Sequence, residues 1–303
     1  MKDIIIIGSG PAGLTAAIYA KRAGWDTLVI EKNTMSGGQI INTADVDNYP
    51  GLPGINGFEM GMKFREHAET VKAEFVSDQV VGVTKQDGFF EVIGEKETYQ
   101  AACVIVATGA THALLGAEGE KEFTGRGVSY CATCDGAFFR NKTVAVIGGG
   151  DVAVEEAILL SKLCKEVYVV HRRDELRSAK ILQEKLFSLK NIKIFWNCTV
   201  EKILGNEQVE KILLADQAEN KTMEIAVDGV FIAVGMRPET EKFTPLLETD
   251  KIGYIVADES CATNIVGIYA AGDVRTKRLR QVVTAVSDGA NAVASATEYL
   301  NNL

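Results

Sequence analysis

The sequence of 303 residues lacks any apolar run long enough to cross a membrane. It also lacks the apolar core and small-residue cleavage site of a signal peptide, because its first residues, MKDIIIIGSG, place a short apolar run directly against glycine. We therefore expect no membrane partner and a cytoplasmic location. Since thiols are kept mostly reduced there, a purely structural disulfide is a weak explanation for any cysteine pair.

Positive charge is also scarce. The chain has 32 Lys and Arg against 41 Asp and Glu, a net charge of −9. A nucleic-acid-binding protein usually presents a basic face, and the dense basic runs in this chain are the short segments HRRDELR and RTKRLR. We therefore expect no nucleic-acid partner.

Metal-ligand spacing is missing as well. Of the six cysteines only Cys131 and Cys134 lie close together in the chain, and the three histidines are isolated from one another. Structural zinc needs a second cysteine pair or a Cys/His pair, and the sequence offers neither, so we expect no metal. A Cys-x-x-Cys pair in a cytosolic protein instead indicates redox chemistry. Cys103, Cys164 and Cys198 lie in or beside apolar segments and are expected to be buried, and Cys261 receives no role.

The chain does contain a complete dinucleotide-binding fingerprint at its start. Ile4–Ile7 predicts a buried strand, 11–23 a helix, and 27–30 a second strand that ends on an acid. The glycines between them allow a tight turn, a close approach to a pyrophosphate, and close packing of helix on strand. An ordinary glycine turn in a βαβ unit is the competing explanation. The predicted cofactor-binding residues here are Gly8, Ser9, Gly10, Pro11, Ala12, Gly13 and Glu31.

The same pattern returns from Lys142, with a strand at 144–147, a helix at 151–163 and a second strand at 167–170. This strand ends on basic residues instead of an acid. A carboxylate there would bind a ribose 2′-hydroxyl, whereas arginines pair with a 2′-phosphate. We therefore assign FAD to the first fingerprint and NADPH to the second, in preference to a solvated charge run. The predicted NADPH residues are Gly148, Gly150, Asp151, Val152, Ala153, His171, Arg172, Arg173 and Arg177.

Two later segments, 104–110 and 267–300, fit the first nucleotide unit better than the second. The predicted fold is α/β, with two Rossmann-like dinucleotide-binding domains and the NADPH domain inserted into a discontinuous FAD domain. The FAD domain is expected to comprise 1–113 and 241–303, and the NADPH domain, which carries the cysteine pair, 114–240. Gly272 and Asp273 then lie on a turn where the carboxylate can accept a hydrogen bond from a ribityl hydroxyl.

These features together predict a path for electrons from NADPH to FAD and then to Cys131 and Cys134, whose sulfurs can close a small disulfide ring. A thiolate that leaves during disulfide exchange must be protonated. Asp135, which follows the second cysteine, is placed to supply that proton. An ordinary turn aspartate beside Gly136 would have the same spacing.

The segments GSGPAG, GGQ, CATCDG, GGGDVAVEEA, HRRDELR and AGD resemble those of the low-molecular-weight, bacterial-type thioredoxin reductases, in order and over essentially the whole chain. The resemblance implies a homodimeric flavoprotein that reduces the disulfide of thioredoxin with NADPH, and an inserted domain that swings. It implies that Cys134 faces the flavin, that Cys131 attacks thioredoxin, and that Asp135 is the acid–base. The further FAD contacts that it implies are Gly38, Gln39, Asn48, Asp273, Arg280, Gln281 and Val282.

One residue departs from the family pattern. Val152 occupies a position where the family usually has a polar side chain, and a lost hydrogen bond there costs roughly 0.5–1.5 kcal/mol. Ferredoxin-linked reductases and dithiol oxidases share the first fold, but are expected to lack the complete second fingerprint with its arginines. The sequence is also compatible with a reductase that serves another protein carrier and with a flavin-bound redox sensor.

We expect the change Cys131→Ser to abolish thioredoxin reduction and to leave reduction of the flavin by NADPH intact, because only the exchange step needs this sulfur. Steady-state turnover with thioredoxin and stopped-flow flavin absorbance measure the two steps separately. Retained turnover in the variant would contradict the assigned path.

Overall fold

The computed structural model describes residues 1–43, 46 and 48–303, except for the side chains of Asn42 and Cys134. The described chain forms two compact units. Unit 1 comprises Met1–Thr111 and Arg237–Leu303, and unit 2 comprises His112–Met236. The domain boundaries expected from the sequence lie after residues 113 and 240.

The strands follow the glycine turns and apolar runs of the sequence. In chain order they are β1 (Lys2–Ile7), β2 (Thr27–Glu31), β3 (Glu74–Ser77), β4 (Val80–Lys85), β5 (Phe90–Gly94), β6 (Thr98–Val106), β7 (Ala110–His112), β8 (Val128–Ser129), β9 (Thr143–Ile147), β10 (Glu166–Val170), β11 (Ile192–Phe195), β12 (Cys198–Gly205), β13 (Val209–Asp216), β14 (Lys221–Ala226), β15 (Gly229–Ile232), β16 (Met236–Pro238) and β17 (Ile268–Ala270).

The α-helices are α1 (Pro11–Arg22), α2 (Gly57–Thr70), α3 (Glu120–Phe123), α4 (Ala132–Asp135), α5 (Asp151–Ser161), α6 (Lys180–Phe187) and α7 (Val282–Leu300). Two 3-10 turns span Gly38–Asn42 and Gly136–Phe139. The helix expected to reach residue 163 ends at Ser161, where the chain turns towards β10. No helix among the described residues is long and apolar enough to cross a membrane.

Unit 1 is built on one seven-stranded sheet. Its strands run in the order β3-β2-β1-β6-β5-β4, and β17 also pairs with β6. The pairs from β3 to β6 and from β6 to β17 are parallel, whereas β4 and β5 form an antiparallel extension. Because β1 is central, the turn that follows it lies where two neighbouring strands end, which is where open α/β sheets bind ligands.

The core of unit 1 lies on both faces of this sheet. Alternate residues of β1 face opposite sides, so Ile4 and Ile6 pack with α1 and α7, while Ile5 and Ile7 pack with the β4–β5 side. Gly289 of α7 lies directly against the carbonyl oxygen of Ala12, where a Cβ would collide with it. This close approach lets α7 pack tightly on α1.

Unit 2 repeats the arrangement with a five-stranded parallel sheet in the order β11-β10-β9-β15-β8. Helices α4, α5 and α6 contribute to the core on one face, and the antiparallel sheet β12-β13-β14 covers the other. The predicted α/β class with two Rossmann-like βαβ units is therefore confirmed. Each unit has a glycine turn between its central strand and the helix that follows.

Candidate functional site

The first glycine turn of unit 1 is shaped by contacts that exclude side chains. Gly8 has a φ of +102°, and a Cβ there would lie 2.5 Å from the carbonyl oxygen of Ala107. A Cβ on Gly13 would collide with the carbonyl oxygen of Gly8, so this helix can pack on its strand only with glycine at this position.

The beginning of α1 is open to a ligand. Its N-cap is Gly10, no side chain caps the helix, and no acid lies in its first turn. A Cβ on Gly10 would have only the Cα of Gly38 nearby, at 3.9 Å, so the protein's own packing does not require glycine there. Unpaired amide groups at a helix N-terminus favour an anion, and this turn can accept a phosphate. Pro11 and Ala12 form its first turn.

Glu31 is held against this turn at the end of β2. Its Oε2 accepts hydrogen bonds from the backbone N–H of Ser9 at 2.8 Å and from the hydroxyl of Ser9 at 2.7 Å. Its Oε1 accepts one from the N–H of Asn33 at 2.8 Å. Each carboxylate oxygen has more than one acceptor site, so a fixed Glu31 can still accept hydrogen bonds from ribose hydroxyls.

Three further predicted residues, Gly38, Asn48 and Gln281, each contact another predicted residue. A Cβ on Gly38 would be 3.1 Å from the Cα of Gly10, which places the 3-10 turn that includes Gln39 beside the start of α1. The side-chain amide of Asn48 donates to Oε1 of Gln281 at 2.8 Å. The structure thus brings Gly38 to Gly10 and Asn48 to Gln281, although these residues are far apart in sequence.

The turn between β17 and α7 carries polar atoms without partners among the described residues. Gly272 has a φ of +83°, and Oδ1 of Asp273 is buried with no hydrogen-bond partner. Burial raises the pKa of Asp273, while nearby Lys277 and Arg280 act in the opposite direction. The Nε of Arg280 is also buried without a partner, and its guanidinium lies 3.8 Å over the ring of Tyr254. Gln281 caps α7, which begins at Val282.

This turn is anchored by Asp288, a residue that the sequence reasoning missed. Its carboxylate accepts hydrogen bonds from the N–H of Gly272 at 2.9 Å, from two nitrogens of Arg275 at 2.8 Å, and from Nζ of Lys277 at 2.8 Å. Burial acts to raise the pKa of Asp288, but the hydrogen bonds from Arg275 and Lys277 outweigh it and hold that pKa below its usual value. An aspartate within the apolar segment VTAVSDGANAV was the available signal.

The glycine turn of unit 2 has the same form. Gly148 has a φ of +152°, and a Cβ there would lie 2.7 Å from the Cβ of the fully buried Ala153. A Cβ on Gly150 would meet no atom within 4 Å, so the space beside it is free for a ligand. Asp151 uses Oδ1 to accept the N–H of Ala179 at 2.7 Å, and Val152 is 60% exposed.

The basic residues after β10 lie beside this turn, because the N–H of Arg177 donates to the carbonyl of Gly149 at 2.8 Å. Arg172, Arg173 and Arg177 are exposed, and none of them forms an ion pair with a described carboxylate. Burial lowers the pKa of His171, whose Nε2 has no partner in the described part of the chain, and the three arginines lower it further. Three guanidinium groups without an acidic partner, beside an open helix N-terminus, suit a phosphate.

The predicted redox residues follow β8 in unit 2. Cys131 is disulfide-bonded. The side chain of Cys134 lies outside the described residues, so its pairing stays a prediction. The hydroxyl of Ser129 donates to Oδ2 of Asp135 at 2.6 Å and accepts the N–H of Cys131 at 3.1 Å, which orients the carboxylate towards the loop. Sequence reasoning missed Ser129.

The other four cysteines are free and buried. Burial raises the pKa of Cys164 to about 11 and that of Cys261 to about 12, and it raises the pKa of Cys103 and Cys198 as well. Since the thiolate is the reactive form, these thiols are inert at neutral pH. Within residues 1–43, 46 and 48–303, no cluster of His, Cys, Asp and Glu could hold a metal ion.

The chain matches a family model and several known proteins over nearly its whole length. The model of the family described as "Pyridine nucleotide-disulphide oxidoreductase" matches residues 2–289. The chain belongs to this family. A thioredoxin reductase of Listeria innocua is 48% identical over 302 residues, which cover 99% of this chain and 94% of that protein.

Solved structures of this family have the same fold. The thioredoxin reductase of Lactococcus lactis matches with a TM-score of 0.82 and 42% identity, covering 100% of both chains. That of Streptococcus pyogenes matches with a TM-score of 0.81 and 45% identity, covering 100% of this chain and 99% of the other.

We expect the change Asp288→Asn to lower the free energy of unfolding by about 3–5 kcal/mol, because, among the described residues, it leaves Lys277 buried without a counter-charge and leaves Arg275 only the exposed carboxylate of Glu259, at 3.9 Å. Urea unfolding at pH 7 measures it. The control is Glu298→Gln, which removes an exposed carboxylate from the same helix and should change stability by less than about 0.5 kcal/mol. Equal stability of the two variants would show that Asp288 does not hold the turn.

Proposed function

We propose that this protein is an NADPH-dependent flavoprotein that reduces the disulfide of thioredoxin through FAD and a redox-active Cys131–Cys134 pair. The observation that carries the proposal is the redox loop of unit 2, where a disulfide-bonded Cys131 lies beside a carboxylate oriented by Ser129. The naming of full-length relatives as thioredoxin reductases supports the choice of substrate. The proposed reaction is a thioredoxin-disulfide reductase reaction that consumes one NADPH for each disulfide.

FAD fits the residues of unit 1. The open first turn of α1 would hold the pyrophosphate. The carboxylate of Glu31 would accept hydrogen bonds from the hydroxyls of the adenosine ribose. The unpartnered Oδ1 of Asp273 would accept a ribityl hydroxyl, and the unpartnered Nε of Arg280 would donate to the same cofactor. When bound, FAD accepts two electrons from NADPH and delivers them to a disulfide.

NADPH fits the residues of unit 2. The pyrophosphate would approach the backbone at Gly150, and the 2′-phosphate would pair with Arg172, Arg173 and Arg177. The free space beside Gly150 and the absence of described acidic partners for these arginines support this assignment. The exposed Val152 offers no hydrogen bond at the same turn.

The proposed exchange chemistry uses the redox loop. Cys131, as a thiolate, attacks one sulfur of the thioredoxin disulfide and forms a mixed disulfide. The second cysteine of the pair, Cys134, then releases reduced thioredoxin. Asp135 exchanges the proton that each thiol must lose or gain, and the 2.6 Å hydrogen bond from Ser129 holds its carboxylate in place for that step.

The setting proposed for this activity is the cytoplasm, where thioredoxin is kept reduced and the enzyme maintains thiol redox balance. We also propose a homodimer as the working form. Size-exclusion chromatography with light scattering tests the dimer.

We expect the double change Arg172→Ala and Arg173→Ala to raise the KM for NADPH at least about tenfold and to reduce the preference for NADPH over NADH, since each charge-assisted contact is worth about 1.5–3 kcal/mol. Steady-state kinetics with both nucleotides give the ratio of KM between variant and wild type and the preference for NADPH over NADH. The control is the double change Lys185→Ala and Lys190→Ala, which removes two exposed cations from the same unit. An unchanged NADPH preference in the arginine variant would show that the phosphate site is misassigned.

The experiment that tests the whole proposal is an anaerobic titration of the purified holoenzyme with NADPH, followed by flavin absorbance. FAD and the Cys131–Cys134 disulfide take up two electrons each, so about two equivalents of NADPH per subunit are expected. Consumption near one equivalent would mean that the cysteine pair is outside the path. No bleaching would mean that NADPH is not the donor.

A further inference from the structure

The helix of the second glycine turn reaches the redox loop through one side chain. Oε1 of Glu156, on α5, accepts a hydrogen bond from the backbone N–H of Ala132 at 3.0 Å. Ala132 follows Cys131 directly and is the first residue of α4, so its N–H has no partner within that helix. The carboxylate therefore contacts the backbone at the residue after Cys131, although Glu156 itself lies outside the CATCDG motif.

The other oxygen of this carboxylate has no partner. Oε2 of Glu156 is buried and accepts no hydrogen bond from any described residue. A buried carboxylate with one free oxygen is poorly stabilised as an anion. Burial raises the pKa of Glu156 to about 7, although the hydrogen bond from Ala132 acts to lower it. The group thus changes its charge within the ordinary working range of pH.

No charged side chain among the described residues compensates this carboxylate. Burial and the N–H of Ala132 are the two influences on its pKa, and Glu156 forms no ion pair with a described residue. Asp135 on α4 bonds to Ser129 instead. No charged residue lies in β9. Its own helix also carries Asp151 and Glu155. The neighbouring elements carry Asp135 on α4, Lys180, Glu184 and Lys185 on α6, and Glu166 on β10. The remaining titratable groups of the loop are Tyr130, Cys131 and Cys134.

We propose that Glu156 is a positioning residue that holds the Cys131 end of the redox loop and couples reduction of the Cys131–Cys134 pair to the uptake of a proton on its own carboxylate. This inference rests on the proposed function, because it takes this pair as the working redox centre. The proposal adds Glu156, which lies outside the CATCDG motif, as a group that determines how easily the cysteine pair is reduced at a given pH.

The step is balanced with a dithiol as reductant. Two electrons break the S–S bond of the protein, and the reagent closes its own S–S bond and releases two protons. One proton stays on one protein sulfur, and the other sulfur remains a thiolate. The second proton goes to the carboxylate of Glu156, so the charge of this group of atoms is unchanged.

The sign of the effect follows from the repulsion between two negative charges. Above pH 7 the ionised Glu156 disfavours a new thiolate beside it, so the disulfide is favoured. Below pH 7 the carboxyl is neutral and this penalty disappears. Removing the charge should therefore make the pair easier to reduce at alkaline pH and leave it unchanged at acid pH.

The test compares wild type with Glu156→Gln, which keeps an acceptor for the N–H of Ala132 but cannot ionise. Holoenzyme is equilibrated in buffers of reduced and oxidised dithiothreitol between pH 6.0 and 8.5, and the thiols of Cys131 and Cys134 are then alkylated and quantified by mass spectrometry. We expect equal dithiol-to-disulfide ratios at pH 6.0 and a ratio about three- to tenfold higher in the variant at pH 8.5, since one pKa unit corresponds to a factor of ten. Glu184→Gln, which removes an exposed carboxylate of α6, should match wild type throughout.

A ratio that is unchanged at every pH, or shifted by the same factor at every pH, would overturn the proposal, because a purely structural role has no dependence on ionisation. If Glu156→Gln does not fold, Glu156→Met, which is similar in volume and also uncharged, takes its place in the same comparison. Reduction of the wild-type pair by NADPH, measured with the same alkylation, tests the proposed function separately. If dithiothreitol reduces the pair and NADPH does not, the proposed function is contradicted, but the test of Glu156 remains valid.

Discussion

In each unit a helix begins immediately beyond the end of a buried central strand, with backbone packed against backbone. The carbonyl of Gly8 fills the space that a side chain of Gly13 would need, and the carbonyl oxygen of Ala233 would lie 2.4 Å from a Cβ on Gly148. Because no side chain intervenes, the first amide groups of α1 and α5 remain free to face a ligand. The nucleotide sites proposed above depend on this arrangement. It also fixes the direction of each helix, and therefore the position of the side chains further along it.

The consequences of that packing differ between the units. In unit 1, α7 packs on α1 through Gly289, and the residue before it, the buried Asp288, gathers Gly272, Arg275 and Lys277. Because this ionic cluster is buried, it fixes the turn that presents Asp273 without competition from solvent. In unit 2, α5 carries Glu156 to Ala132, which ties the second glycine turn to the redox loop. The same supersecondary unit thus supports the turn proposed to bind FAD in unit 1, and in unit 2 it also connects the turn proposed to bind NADPH to the loop of Cys131.

Much of the candidate site follows from residue type and spacing. Gly8, Gly13 and Gly148 follow from the fingerprints because a Cβ would collide at each of them. Glu31 is the last residue of β2, and the arginines lie in the segment that follows β10. The turn at Gly272 was predicted from the order of the segments and the contacts at Gly38 and Asn48 from family resemblance, and the structure adds partners such as Gln281 for Asn48. Ser129, Glu156 and Asp288 were not predicted, since each acts through contacts with residues that lie outside its own motif or at a distance along the sequence.

The sequence by itself determined the two βαβ units, the polarity of each strand end and the spacing of the cysteines, because these depend on local backbone geometry and on the chemistry of single residues. Only the tertiary structure decided which polar atoms are buried with a partner and which are not. The tertiary structure leaves one carboxylate oxygen of Asp273 and one of Glu156 without a hydrogen-bond partner among the described residues, and it gives the carboxylate of Asp288 several donors. The physical reason is that hydrogen-bond satisfaction and burial depend on what the rest of the chain brings to each atom, and residue spacing does not record it.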